Sequence, residues 1–318
     1  MEPATPHRSG ARSPVAERLR LGTRGSALAR AQADLVVQAL AARGAAVEVV
    51  IVRTAGDEPG GRPIAALGRG VFVKELEAAL RAGTVDLAVH SAKDLPTGEG
   101  PGLRVAAVLR RGDPRDALVS RDGSPLAGLR PGAVVGTDSP RRRAFLLAAR
   151  PDLAVVPLRG NVDTRLRRLE AGACDAVVLA AVGLDRLGWG DRITERLDPA
   201  VMLPAPGQGA LAVQVRAEDR AVEAWVRPLD DPATAAEVRA ERAFLQAMGG
   251  GCRAPIAALA RVADGRLVLQ GAAVSPDGRQ VVRGDASGPP QDATAIGERL
   301  ARHLLAQGAG ALAAEART

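Results

Sequence analysis

From residue 18 onward, short apolar β-branched runs alternate with segments of helical period. Residues 18–23 predict a strand, and 27–42 predict a helix with Leu28, Leu35, Val36 and Leu40 on a shared face. The continuous apolar run 47–52 is what a strand buried on both faces requires. A helix over 71–81, a strand over 85–90 and a strand over 103–109 complete one unit. A second unit repeats the pattern: strand 133–136, turn 137–140, helix 141–149, strand 153–157, a helix carrying Arg165, and strand 175–180. Strands alternating with helices imply α/β layers built on largely parallel sheets.

The proline- and glycine-rich segment 203–210, LPAPGQGA, reads as a return linker, because 211–215 alternates like a strand rejoining an existing sheet. The chain therefore leaves its first domain near residue 110 and comes back near 210. A third unit follows. Asp231 caps a helix over 232–248, and a meander over 256–282 turns at Asp264-Gly265 and Asp277-Gly278 before closing helices over 291–315. The expected division is a disordered tail over 1–18, a first domain over 19–110 and 210–228, a second over 111–209, and a third over 229–318.

Composition narrows the function. The chain has 318 residues, 47% apolar and 25% charged, so it folds and has length enough for several cores. No apolar run reaches a membrane span and residues 1–18 lack an apolar h-region, so neither membrane nor export is expected. The net charge of +7 is carried by arginine, with only Lys74 and Lys93 as lysines. Tyrosine is absent, with three phenylalanines and two tryptophans, which leaves almost nothing for base stacking and argues against nucleic acid. Anionic small molecules fit better. Cys174 and Cys252 form no CxxC and no metal-ligand spacing, which excludes a disulfide framework or zinc site and fits the reducing cytoplasm.

Candidate chemistry collects at strand ends. Arg24, Arg141, Arg142, Arg159, Arg165 and Arg186 follow predicted strands in both units, and guanidinium forks bind carboxylates at any working pH. Any one of them would pass for a solvated basic residue. Together they predict a cleft for a polycarboxylate. Ser26, at a helix start, serves either as a cap or as an anion contact. Asp94 follows strand 85–90, where open α/β sheets place ligands, and either stabilises a cationic nitrogen centre or pairs with Lys93 or an arginine. His90, one step back, reads as structural. Cys252 sits after Gly249-Gly250-Gly251 and before Pro255, a backbone that displays a side chain rather than packing it.

The ordered segments GTRGSALA (22–29), FVKELE (72–77), AVHSAKDLP (88–96), GTDSPRRR (136–143), LRGNVDTRL (158–166), LPAPGQGA (203–210) and GGGCRAPI (249–256) resemble the porphobilinogen deaminase (hydroxymethylbilane synthase) family. The resemblance runs from about residue 19 to the end. It implies two periplasmic-binding-protein-like α/β domains with mixed sheets, plus a smaller C-terminal α+β domain with a three-stranded antiparallel sheet. It also implies a monomeric cytoplasmic transferase of tetrapyrrole (haem) biosynthesis. Four porphobilinogen molecules are joined head to tail on a dipyrromethane primer with loss of ammonia, and hydrolysis frees hydroxymethylbilane.

Residue by residue, the resemblance makes Cys252 the thioether anchor of the dipyrromethane cofactor and Asp94 the catalytic acid. Lys93, Arg24, Ser26, Thr137, Ser139, Arg141, Arg142, Arg159, Arg165 and Arg186 match cofactor- or substrate-binding positions. Phe72 matches a position at the lid end, and Gln208 one near the hinge. No metal is implied. Each pyrrole carries an acetate and a propionate, so a growing chain of rings needs many cations, as the arginine set provides. Asp138 departs from the family pattern and is expected either to orient Arg141 and Arg142 or to weaken them. Two other readings compete: an exported two-domain anion binder, which has no use for a displayed cysteine, and an arginine-rich nucleic-acid surface, which rests on charge alone.

Overall fold

A computed structural model describes residues 18–53, 73–250 and 254–315. Residues 1–17 of the expected tail over 1–18, Phe72 and Cys252 lie outside the described residues. The first unit runs β1 (Leu19–Thr23), α1 (Ala27–Ala41), β2 (Val47–Ile51), α2 (Lys74–Arg81), β3 (Leu87–Ser91) and β4 (Leu103–Val108). The chain then crosses over to β5 (Asp116–Ser120), β6 (Val134–Gly136), α3 (Pro140–Ala149), β7 (Ala154–Val156), α4 (Val162–Glu170), β8 (Ala176–Ala180), α5 (Ala181–Arg186) and β9 (Glu195–Arg196). It returns through β10 (Leu211–Arg216) and α6 (Arg220–Val226). The last unit is α7 (Pro232–Ala247), β11 (Ile256–Ala263), β12 (Arg266–Val274), β13 (Val281–Gly288), α8 (Ala293–Ala306) and α9 (Ala309–Glu315).

The two larger sheets share a plan. In the first, ordered β2-β1-β3-β10-β4, β1 runs parallel to β2 and β3 while the returning β10 lies antiparallel between β3 and β4. In the second, ordered β7-β6-β8-β5-β9, β6 runs parallel to β7 and β8, and β5 lies antiparallel beside β8. Each sheet thus takes its antiparallel strand directly from a crossover between units. The architecture is α/β with mixed sheets, and β11-β12-β13 forms a separate antiparallel sheet.

Each unit buries its own apolar set. Leu21, Val36, Leu40, Leu87 and Val213 pack in the first, and Phe244, Leu269, Ile296 and Leu300 pack in the third. Phe145, Leu146 and Val178 of the second pack with Ala257, Leu259 and Val274, so the third sheet closes the second core. Two expectations need correction. The run 47–52 is not buried on both faces: β2 is an edge strand, with Val49 and Ile51 39% and 41% exposed. On α1 the buried stripe is Ala29, Gln32, Ala33, Val36 and Leu40, while Leu35 faces water, because small residues bring the helix close to its sheet.

Candidate active site

The first sheet supplies one wall of a cleft. Beyond β3 the chain tightens into a short 3-10 turn, Ala92–Asp94, and this turn lines the cleft with Lys93 and Asp94. Arg24 and Ser26, between β1 and α1, stand beside them. Ser26 does act as the α1 cap, its Oγ accepting from the Ala29 amide at 3.2 Å. Asp94 makes no direct ion pair with Lys93, whose ammonium donates to Gln208 Oε1 at 3.2 Å while still feeling the Asp94 charge. Behind them His90 is 4% exposed and burial pushes it down to about 4, so it is a neutral core group.

From the second unit, α5 faces this wall with Val182, Gly183 and Arg186. Arg186 Nη2 donates to Gly209 O at 2.8 Å. A Cβ on Gly183 would sit 3.5 Å from the Leu28 side chain, so the two units touch across the cleft floor where Gly183 leaves room.

The arginine pair at the start of α3, expected to bind ligand carboxylates, is buried against a carboxylate of the protein itself. Ser139 caps the helix by accepting from the Arg142 amide, and its own amide meets Thr137 Oγ1, which places the next two side chains inward. Arg141 and Arg142 are 5% and 6% exposed and converge on a single carboxylate, Asp116, which is fully buried. Arg141 Nη1 lies 2.7 Å from Asp116 Oδ2, and Arg142 Nε lies 2.9 Å from Oδ1. Arg141 Nη1 also donates to Leu203 O, and Arg142 Nη1 donates to Val178 O. Despite burial, the two guanidiniums hold the Asp116 carboxyl far below the usual range.

Gln208 joins this cluster to the first wall. Its Nε2 donates to Asp116 Oδ1 at 3.1 Å and to Pro114 O at 2.7 Å, while its Oε1 accepts from Lys93. Lys93, Gln208, Asp116, Arg141 and Arg142 are therefore one connected network spanning both sheets. Arg165 lies close enough to Arg142 to feel its charge, and its Nε donates to Gly160 O at 2.8 Å. Arg159 stands apart, paired with Asp138 at 3.2 Å. Asp138 thus pairs with Arg159, and its charge also reaches Arg165.

The charge balance follows from these contacts. Arg141 and Arg142 share one carboxylate, while Lys93, Arg165 and Arg186 hydrogen-bond neutral oxygens. Burial, helped by Arg142, pushes Lys93 down to about 8, and burial pushes Arg165 and Arg186 down to about 10. Such a site gains most from ligand carboxylates, which favour the charged forms. Among the described residues no cluster of three or more His, Cys, Asp or Glu is arranged to hold a metal, and no helix is long and apolar enough to cross a membrane.

Sequence reasoning missed Asp116 and the buried pair of Arg111 with Glu241, whose contacts are 2.6 and 3.0 Å. An acid at the head of the apolar run 117–119 was the available signal for Asp116. Its partners lie more than a helix away in sequence, and nothing local names them.

The family model described as "Porphobilinogen deaminase, dipyromethane cofactor binding domain" matches residues 19–224, and "Porphobilinogen deaminase, C-terminal domain" matches 235–306. The porphobilinogen deaminase of Acidothermus cellulolyticus is 51% identical over 299 residues, covering 92% of this chain and 90% of its own length. That of Roseiflexus castenholzii is 51% identical over 299 residues, covering 93% and 98%. Among solved structures, the VFT2 domain of Bordetella pertussis BvgS is similar over 66% of this chain and 85% of its own, at 18% identity and a TM-score of 0.41. A periplasmic substrate-binding protein from Coxiella burnetii is similar over 68% and 94%, at 18% identity and a TM-score of 0.40.

Proposed function

The chain belongs to the porphobilinogen deaminase family, and on that premise we propose that Asp94 is its catalytic acid and Cys252 the covalent anchor of its dipyrromethane cofactor. The activity is the condensation of four porphobilinogen molecules with loss of ammonia, followed by hydrolytic release of hydroxymethylbilane. One observation carries the assignment of the cleft: Lys93, Arg165 and Arg186 are held by neutral oxygens beside an arginine pair that shares a single carboxylate. Polypyrrole acetates and propionates supply the missing negative charge, so the donor set fits the group.

When bound, the cofactor supplies the nucleophilic pyrrole carbon on which each condensation begins. The protein's residues do the rest. Arg24, Ser26, Lys93, Arg159, Arg165 and Arg186 bind and orient ring carboxylates, with Thr137 and Ser139 shaping the α3 start. Arg141 and Arg142, fixed by Asp116, act as a standing positive field rather than as swinging clamps. An Asp94 oxygen hands a proton to the substrate's aminomethyl nitrogen as its carbon–nitrogen bond breaks and ammonia leaves. The resulting carboxylate holds the positive charge left on the substrate, then takes up the proton released by the attacking pyrrole carbon once the new carbon–carbon bond has formed, so the cycle closes. Phe72 is assigned to the rings and Gln208 to the hinge.

We further place the enzyme in the cytoplasm as a monomer with no nucleic-acid or membrane partner. The buried free thiol of Cys174 supports a reducing compartment. We also propose the division into 19–110 with 210–228, 111–209 and 229–318, which the membership of the three sheets supports. Incubating purified protein with porphobilinogen tests the reading: ammonia and hydroxymethylbilane should appear in the ratio of four to one. Protein that carries no pyrrole and releases no ammonia would contradict it.

A further inference from the structure

α7 carries Arg242 on the face turned toward the first unit, and what that guanidinium contacts is unusual. Its Nη1 donates to Leu95 O at 3.3 Å, and its Nη2 donates to Pro96 O and to Thr97 O at 3.1 Å. Three successive carbonyls immediately after Asp94 are therefore gathered by one fork. Among the described residues no carboxylate pairs with Arg242. Burial pulls its pKa down, and Glu99 only partly opposes this. A guanidinium spent on backbone acceptors gives up the ion pair that would hold it best, and it fixes geometry instead.

The same turn is held from two other sides. Leu95 is buried with Val238, one turn earlier on α7. Gly207 also presses close, since a Cβ there would lie 3.0 Å from Ala92 C and Lys93 N. Gly207 is itself tied to α7, its amide donating to Glu241 Oε2 at 2.6 Å. Glu241 and Arg242, consecutive on one helix, thus hold the return segment and the Asp94 turn against each other.

We propose that Arg242 is a positioning residue for Asp94: by clamping residues 95–97 to α7 it fixes where the Asp94 carboxylate stands in the cleft. This rests on the proposed role of Asp94. It gives α7, whose sequence continues through the glycines to Cys252, a second task beyond leading to the anchor. A misplacement of about 1 Å at a reacting group can cost roughly a hundredfold in rate, so a clamp of this kind has kinetic weight.

The test compares wild type, Arg242→Gln and Arg242→Lys, each checked for the mass of two pyrrole units at Cys252 and for its melting temperature. Arg242→Gln should load the cofactor and keep KM within about threefold while kcat falls about tenfold or more. Arg242→Lys should recover part of that loss. Amide exchange over residues 92–98 should speed up in Arg242→Gln, while β1 and α3 stay unchanged. Equal kcat per loaded molecule and unchanged exchange over 92–98 would overturn the proposal. Should Arg242→Gln not accumulate as folded protein, wild-type kcat and exchange in Arg242→Lys would overturn it equally. Failure of the family reading would show separately, as wild-type protein without pyrrole or turnover.

Discussion

Lys93 and Gln208 meet at 3.2 Å, an ammonium of the first unit resting on the amide oxygen of the return segment. The other end of that amide donates to Asp116 in the second unit. An uncharged side chain thus separates a cation from the carboxylate that would otherwise neutralise it. Lys93 keeps its charge available for a ligand, and Asp116 keeps its capacity for Arg141 and Arg142.

The Lys93 ammonium gives a pH prediction whose sign can be worked out. Its pKa in the fold is about 8, against 10.5 for the free side chain. Between those values the unfolded chain binds the extra proton, so ligand-free protein should gain stability as pH rises from about 8 toward 10.5. Ligand binding runs the other way, because the cleft loses one positive charge above pH 8. KM for porphobilinogen should rise through that range in wild type and stay flat in Lys93→Met. A KM that rises equally in both would remove Lys93 from carboxylate binding.

Asp116 carries a stability prediction. Removing a buried carboxylate that two guanidiniums share leaves charge uncompensated, and Asp116→Asn should cost about 3–5 kcal/mol in urea unfolding. The folded pKa is depressed, so the Asp116 contribution is complete above the unfolded value near about 3.9 and is lost as pH falls below it. Wild type should therefore lose stability steeply below about pH 4, and Asp116→Asn should show a shallower slope there. Parallel slopes would place the acid sensitivity elsewhere.

Two glycines separate backbone strain from crowding. Gly209 has φ +96 and an added Cβ would meet Gly112 O at 2.7 Å, whereas Gly188 has φ +72 with nothing within 4 Å. Both substitutions to alanine incur the left-handed penalty of about 1–2 kcal/mol. Gly209→Ala should lose clearly more stability, because the backbone of the crossover must move. Equal melting temperatures for the two variants would show that the crossover tolerates that shift.

Legibility in the sequence followed how local each cause is. The return strand β10 was readable because LPAPGQGA breaks the chain before an alternating run. The exposure of β2 was not, since a β-branched run looks the same at an edge as at a centre. Arginines at helix starts were visible, as was the cap at Ser26. That one carboxylate stands between Arg141 and Arg142 depends on β5 lying beside β8, a pairing across sixty residues that no local pattern records. Asp138 illustrates the same limit: adjacency suggested Arg141 and Arg142, and the fold gave it Arg159.

Asp94→Asn preserves shape while removing the proton carrier. It should retain the cofactor and bind porphobilinogen, with turnover reduced about 100- to 10,000-fold and enzyme-bound intermediates visible by native mass measurement. Rates near wild type would take Asp94 out of the mechanism.

The most direct measurement is the intact mass of the purified protein, followed by mapping of the peptide that contains Cys252. Two pyrrole units bound through the Cys252 sulfur are predicted, together with their absence and loss of turnover in Cys252→Ser. Wild-type protein that is unmodified at Cys252 yet still makes hydroxymethylbilane would contradict the account.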